Sequence, residues 1–194
     1  MISQKFPEHV VDVYDPKTDA VKKLSLPKDV TGKFVLVFWY PADFTFVCPT
    51  ELADLHRRKE EFEKVGLTII AASTDTVYTH KAWIEAEELL HGFDYLMVAD
   101  HNGTLARSLG VYEETSGVAK RAAIIFDPDG VIRVDYRVES NIGRSAGELL
   151  RLAKALRFVR ENPGSACPAS WDDGAPILHT GMKLVGKVGQ ALKT

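Results

Sequence analysis

Cysteine is scarce here: the 194 residues hold two, Cys48 and Cys167, far apart and in no CxxC pair. The missing CxxC speaks against a thioredoxin-type disulfide exchanger, which works through neighbouring sulfurs. Metal-ligand spacing is missing too. His9, His56, His80, His91, His101 and His179 form no HExxH motif and no ligand-spaced set with a cysteine, so no zinc or iron site is expected. The local signature of a papain-like Cys/His pair is absent, and no GxGxxG or Walker loop follows an apolar run, so no bound nucleotide is expected. Excess charge of one sign is lacking: 24 basic and 27 acidic side chains leave a formal −3, which argues against nucleic acid as a partner. No apolar run nears the roughly 18 residues of a membrane span. The opening MISQKFPEHVV lacks the basic and apolar regions of a signal peptide, so a cytoplasmic protein is expected. In that compartment a disulfide between the two cysteines would be transient, hence catalytic or sensory. The alternative is that both are buried as small hydrophobes.

What is present is ordinary for a globular chain, 45% hydrophobic and 26% charged, with no internal repeat or low-complexity segment. The stretch 39–52, WYPADFTFVCPTEL, stands out. It leaves the apolar run 34–40, passes through a short loop, and puts Cys48 where a helical pattern begins, with Pro49 where a first turn tolerates a missing N–H. A thiol there faces the unpaired N–H groups of the helix start, whose partial positive charge favours thiolate.

The other elements follow from periodicity. Residues 9–14 and 20–26 read as an edge hairpin around a turn-rich 15–19 segment. The runs 34–40 and 67–73 read as strands buried on both faces, and 96–100 as a short third strand. A helix is predicted from Cys48 to Gly66, another over 77–90 with Trp83 inward, a brief one over 104–109 and a long one over 145–162. Strands 122–127 and 131–138 form a second hairpin through Pro128-Asp129-Gly130. This order implies an α/β fold, a mixed sheet flanked by helices. Residues 1–164 are expected to form one domain, and 165–194, rich in small residues, a tail carrying Cys167.

Around Cys48, the Thr45 hydroxyl can turn toward the sulfur or toward a bound oxygen, and the Pro41 ring can wall off one side. Glu51, one turn after the cysteine, opposes a thiolate unless a cation neutralises it. Arg121, opening the strand at 122, and Arg144, before the last helix, are the candidates. Each also has a plain structural explanation: a loop cap, a strand stop, a solvated surface charge.

PADFTFVCPTE, with Pro41, Thr45 and Cys48 in a P-x-x-x-T-x-x-C pattern, resembles the active-site signature of peroxiredoxins. RAAIIFDPDG places Arg121 at the family's active-site arginine, and NPGSACPASW places Cys167 at the resolving cysteine of typical two-cysteine members. The nearest resemblance is to the bacterial alkyl hydroperoxide reductase C proteins. It implies a thioredoxin-like fold and reduction of hydrogen peroxide or organic hydroperoxides without metal or organic cofactor. Cys48 would become a sulfenic acid, Arg121 and Thr45 would hold the peroxide, and Pro41 would shield the site. Cys167 from the partner subunit of a homodimer would form the disulfide. Also implied are assembly of dimers into a decameric ring, an external dithiol reductant such as a flavoprotein disulfide reductase or thioredoxin, and a secondary holdase activity. Glu51 would then be held by Arg121 and Arg144. The chain departs from overoxidation-sensitive members: their GGLG loop is replaced by His91-Gly92-Phe93-Asp94 and no Tyr-Phe pair ends the tail.

Overall fold

The structure, a computed structural model, describes residues 1–192 in two compact units, the first ending at Ala146 and the second beginning at Gly147. In the first unit β1 (His9–Asp15) and β2 (Ala20–Leu26) form the expected hairpin, and β3 (Phe34–Trp39) follows. Next come α1 (Cys48–Arg57), α2 (Lys59–Lys64), β4 (Leu67–Ser73), α3 (Val77–Ala86), β5 (Leu96–Ala99) and α4 (Thr104–Ser108). A small pair, β6 (Tyr112–Glu113) and β7 (Val118–Ala119), precedes β8 (Ala122–Phe126) and β9 (Ile132–Arg137). Seven strands make one sheet in the order β2-β1-β5-β4-β3-β8-β9, parallel only across β3/β4 and β4/β5, where helices make the crossovers.

The run FVLVFW is apolar throughout because β3 is covered on both faces. Val35, Val37 and Trp39 join the core cluster with Leu105, Ala106 and Leu109 of the α4 region, while Leu36, Phe38 and Tyr40 alternate to the other face. The two edges carry charge instead, Lys22 and Lys23 on β2 and Arg133 and Arg137 on β9, which discourages indiscriminate edge pairing.

The helix predicted as continuous from Cys48 to Gly66 breaks at Arg58, which leaves helical geometry (φ −99°, ψ 15°) and separates α1 from α2. Spacing of apolar residues survives such a break, so sequence periodicity does not see it. The predicted helix over 77–90 likewise ends at Ala86 and resumes as a 3-10 turn, Glu88–Leu90; Trp83 is buried as expected.

Among the described residues no helix is long and apolar enough to cross a membrane. The second unit opens with α5, which spans Ala146–Glu161 and so begins one residue before it, followed by a segment with short elements of its own. There β10 (Ser165–Ala166) pairs with β11 (Leu178–His179), and α6 spans Val188–Ala191. The Trp171 ring lies 4.9 Å from that of Phe158, and its Nε1–H donates to Ala175 O.

Candidate active site

The sheet register explains how residues distant in sequence meet. Trp39, the last residue of β3, pairs with Ala122, the first of β8, so the chain leaves β3 toward Cys48 beside the point where Arg121 enters β8. Ala122 pairs in turn with Arg137, which brings the 138–140 segment alongside Arg121. Three loops therefore converge at one sheet end.

Cys48 is the first residue of α1 and is 1% exposed, a free thiol at a helix start. The Nη1–H of Arg121 donates to its Sγ at 3.6 Å and also to Glu51 Oε2. On its other side Arg121 is fixed by Nε and Nη2 donating to Ser140 O at 3.1 and 2.6 Å. Arg144 forks onto Glu51, Nε to Oε1 at 2.9 Å and Nη2 to Oε2 at 3.0 Å, while its backbone N–H donates to Oε1 at 2.6 Å. The carboxylate thus accepts four hydrogen bonds in a site where Glu51, Arg121 and Arg144 are each 3% exposed. Burial pushes the Arg144 guanidinium below its ordinary value, with Glu51 opposing. It also stacks over Phe38, 3.6 Å from the ring centroid, and its Nη1, without a hydrogen-bond partner among the described residues, belongs to that stacked plane.

Two guanidinium groups and one carboxylate leave the cluster at +1, and an anionic sulfur brings it to zero. Charges buried in low dielectric are tolerated when they balance and are hydrogen-bonded. Glu51 therefore orients the guanidinium while removing only part of its field.

Thr45 lies in the same loop, but its Oγ1–H donates to Ala42 O at 2.7 Å, leaving the oxygen's lone pairs as acceptors. Pro41 and Arg121 line one cavity of about 810 Å³ with Val118, Val138 and Ser140. Cys167 directly follows β10 in the second unit and is partly exposed; burial pushes its thiol up and Arg151 draws it partly back. Among the described residues no group of three or more His, Cys, Asp or Glu is placed to hold a metal.

Sequence reasoning did not find Ser140, whose backbone carbonyl fixes Arg121, because a carbonyl leaves no trace in residue type. It also set His80 aside with the other histidines. His80 is fully buried, and its position one turn before Trp83, on the inward side of α3, was the available signal.

Residues 2–135 match the model of the AhpC/TSA family. The chain is 40% identical to Staphylococcus aureus alkyl hydroperoxide reductase C over 188 residues, covering 97% of this chain and 99% of the relative. Among solved structures it is similar to Enterococcus faecalis AhpC (TM-score 0.81, 40% identity, 86% of this chain and 98% of that one). It is also similar to the reduced 2-Cys peroxiredoxin of Plasmodium vivax (TM-score 0.91, 25% identity, 100% and 98%).

Proposed function

The chain belongs to the AhpC/TSA family and is a peroxiredoxin enzyme with the thioredoxin-like fold its sequence implied, and on that premise we propose how its groups divide the work of a thiol-dependent peroxidase. The sulfur of Cys48, as thiolate, attacks the terminal oxygen of hydrogen peroxide or an organic hydroperoxide. An S–O bond forms, the O–O bond breaks, and the electron pair leaves on the second oxygen, which takes a proton to become water or an alcohol. Cys48 is left as sulfenic acid. Arg121 supports the sulfur's charge and then the charge developing on the departing oxygen. Thr45, its own proton committed to Ala42, accepts the hydrogen of the attacked O–H. Pro41 keeps water from one side, and Glu51 and Arg144 position Arg121.

Cys167 of the partner subunit then attacks the sulfenic sulfur. The S–S bond forms as water leaves, and an external dithiol, a flavoprotein disulfide reductase or thioredoxin, restores both thiols. The working unit is a homodimer, assembled into a decameric ring in the cytoplasm, with residues 1–164 as the thioredoxin-like domain and 165–194 as the tail that delivers Cys167. Self-association is supported by Phe44, Phe46 and Tyr78, large apolar side chains exposed at 56%, 92% and 79% in the single chain. The same surface, when rings come apart, supports a secondary holdase activity.

The observation that carries this reading is the one Arg121 nitrogen that donates to both Glu51 and Cys48. The test is peroxide consumption with a generic dithiol, followed by non-reducing gels. Wild type should turn over and show a disulfide-linked dimer; Cys167→Ser, mixed with peroxide after the dithiol is removed, should consume one equivalent and form no such dimer; Cys48→Ser should not react. Sustained turnover by Cys48→Ser would remove the basis of the assignment.

A further inference from the structure

Behind the 41–47 loop lies a buried polar group that the mechanism above does not use. His80 of α3 is fully buried, with Nε2 3.1 Å from Val98 O and Nδ1 2.8 Å from Asp43 Oδ2. The Tyr40 hydroxyl donates to Asp43 Oδ1 at 2.7 Å, and burial holds that hydroxyl well above its ordinary titration range, so it stays a donor. The side chains of Asp43 and His80 are both completely shielded from solvent.

The proton count follows from these partners. A carbonyl only accepts, so His80 Nε2 carries a hydrogen. One further proton sits between Nδ1 and the Asp43 carboxyl. Whether it rests on nitrogen or oxygen, the pair as a whole is neutral. Burial pushes the Asp43 carboxyl above the ordinary carboxylate range, which favours keeping that proton in the pair. The other ionisable group facing it is Asp75, whose Oδ2 accepts the Asp43 backbone N–H at 2.9 Å and the Ser73 hydroxyl at 2.7 Å. Lys81 and Glu85 of α3 point elsewhere, pairing with each other and, for Lys81, with Asp19.

Asp43 stands two residues after Pro41 and two before Thr45, next to Phe44, which adopts φ +55°, a left-handed conformation bulky side chains avoid. Trp83 packs against Phe44 at 6.4 Å and Tyr40 at 5.6 Å between ring centroids. The only charged side chain inside the loop is therefore its anchor to the protein body.

Resting on the peroxidase reading, we propose that Asp43, His80 and Tyr40 are positioning residues for peroxide reduction: a one-proton pair and its donor that hold the 41–47 loop, and with it Pro41 and Thr45, in register with the Cys48 sulfur. The pair fixes where the peroxide's oxygens are received; it touches neither sulfur nor substrate.

The test compares two reactions of the same thiol in Asp43→Ala and Asp43→Asn: peroxide reduction, which needs the loop, and alkylation by iodoacetamide, which does not. Asp43→Ala should lose about ten- to a hundredfold in the peroxide rate with alkylation changed by less than about threefold. An asparagine can accept from Tyr40 and donate to a neutral His80, so Asp43→Asn should recover most of that loss at pH 8. That recovery should shrink on acidification, because an amide, unlike a carboxylate, cannot balance a positive charge taken up beside it, while wild type declines less over the same range. Equal loss of peroxide and alkylation rates, or an Asp43→Asn profile parallel to wild type, overturns the positioning role. Should Asp43→Ala not fold, the pH profile of Asp43→Asn decides. Wild type in the same assay separates the two levels: no peroxide consumption there overturns the peroxidase reading and this role together, whereas normal consumption with wild-type-like variants overturns this role alone.

Discussion

Replacing Glu51 by glutamine separates orientation from charge, because the two predict rate changes of opposite sign. The carboxylate oxygens accept from Arg121 Nη1, Arg144 Nε, Arg144 Nη2 and the Arg144 backbone N–H. An amide of the same shape offers one accepting oxygen and turns an NH₂ toward a guanidinium, so two donors lose their partner in a buried site. Breaking a buried pair from one side costs about 3–5 kcal/mol. Arg121, released on its Glu51 side, moves away from a sulfur it now reaches at 3.6 Å. At an effective dielectric of 20, a guanidinium and a thiolate at that separation attract by about 4.6 kcal/mol. A retreat of about 2 Å gives up about 1.6 kcal/mol, some fifteenfold in rate. If charge alone mattered, losing a carboxylate near the sulfur would leave the rate unchanged or raise it. The assay is rapid mixing of reduced protein with hydrogen peroxide, followed by tryptophan fluorescence, with urea denaturation confirming a folded sample. A peroxide rate equal to or above wild type in folded Glu51→Gln refutes the orienting role.

Arg144→Lys keeps the charge but not the fork or the stack on Phe38, so it should lose about 1–3 kcal/mol of stability and about tenfold in peroxide rate. A wild-type rate in that variant would place Arg144 outside the site's working parts. Because burial raises the Cys167 thiol, disulfide formation after a peroxide pulse should accelerate between pH 6 and 8, by up to about tenfold per unit. A flat profile in that window would mean that Cys167 does not attack as thiolate. A disulfide needs Cα atoms about 4.4–6.8 Å apart, yet Cys48 opens a helix and Cys167 follows a paired strand, so both segments should lose hydrogen-exchange protection on oxidation. Equal protection in both redox forms would contradict this. With His91-Gly92-Phe93-Asp94 where sensitive members of the family carry a GGLG loop, sulfinic acid should accumulate only at peroxide concentrations well above those that inactivate such members, as read by intact mass.

The central strands were legible because they are covered on both faces, and a short β-branched, aromatic run such as FVLVFW bounded by turn residues fits a buried strand. The break at Arg58 and the β10/β11 pair were not: the first leaves apolar spacing intact, and the second is too short to show alternation. At the site, a cysteine at a helix start and an acid needing neutralisation were visible as residue types in sequence. Ser140 acts through its backbone and His80 through a tertiary neighbour, so neither announced itself.

The charge count around Glu51 has a consequence for the spent enzyme. While the sulfur is anionic, two guanidinium groups and two negative groups cancel. On the proposed cycle, a sulfur taken into a neutral disulfide would leave one positive charge unanswered among side chains that are 3% exposed, which disfavours the packing of the reduced form. In that cycle, consuming peroxide would loosen the latch on the site where it happens, and reducing the disulfide would fasten it again.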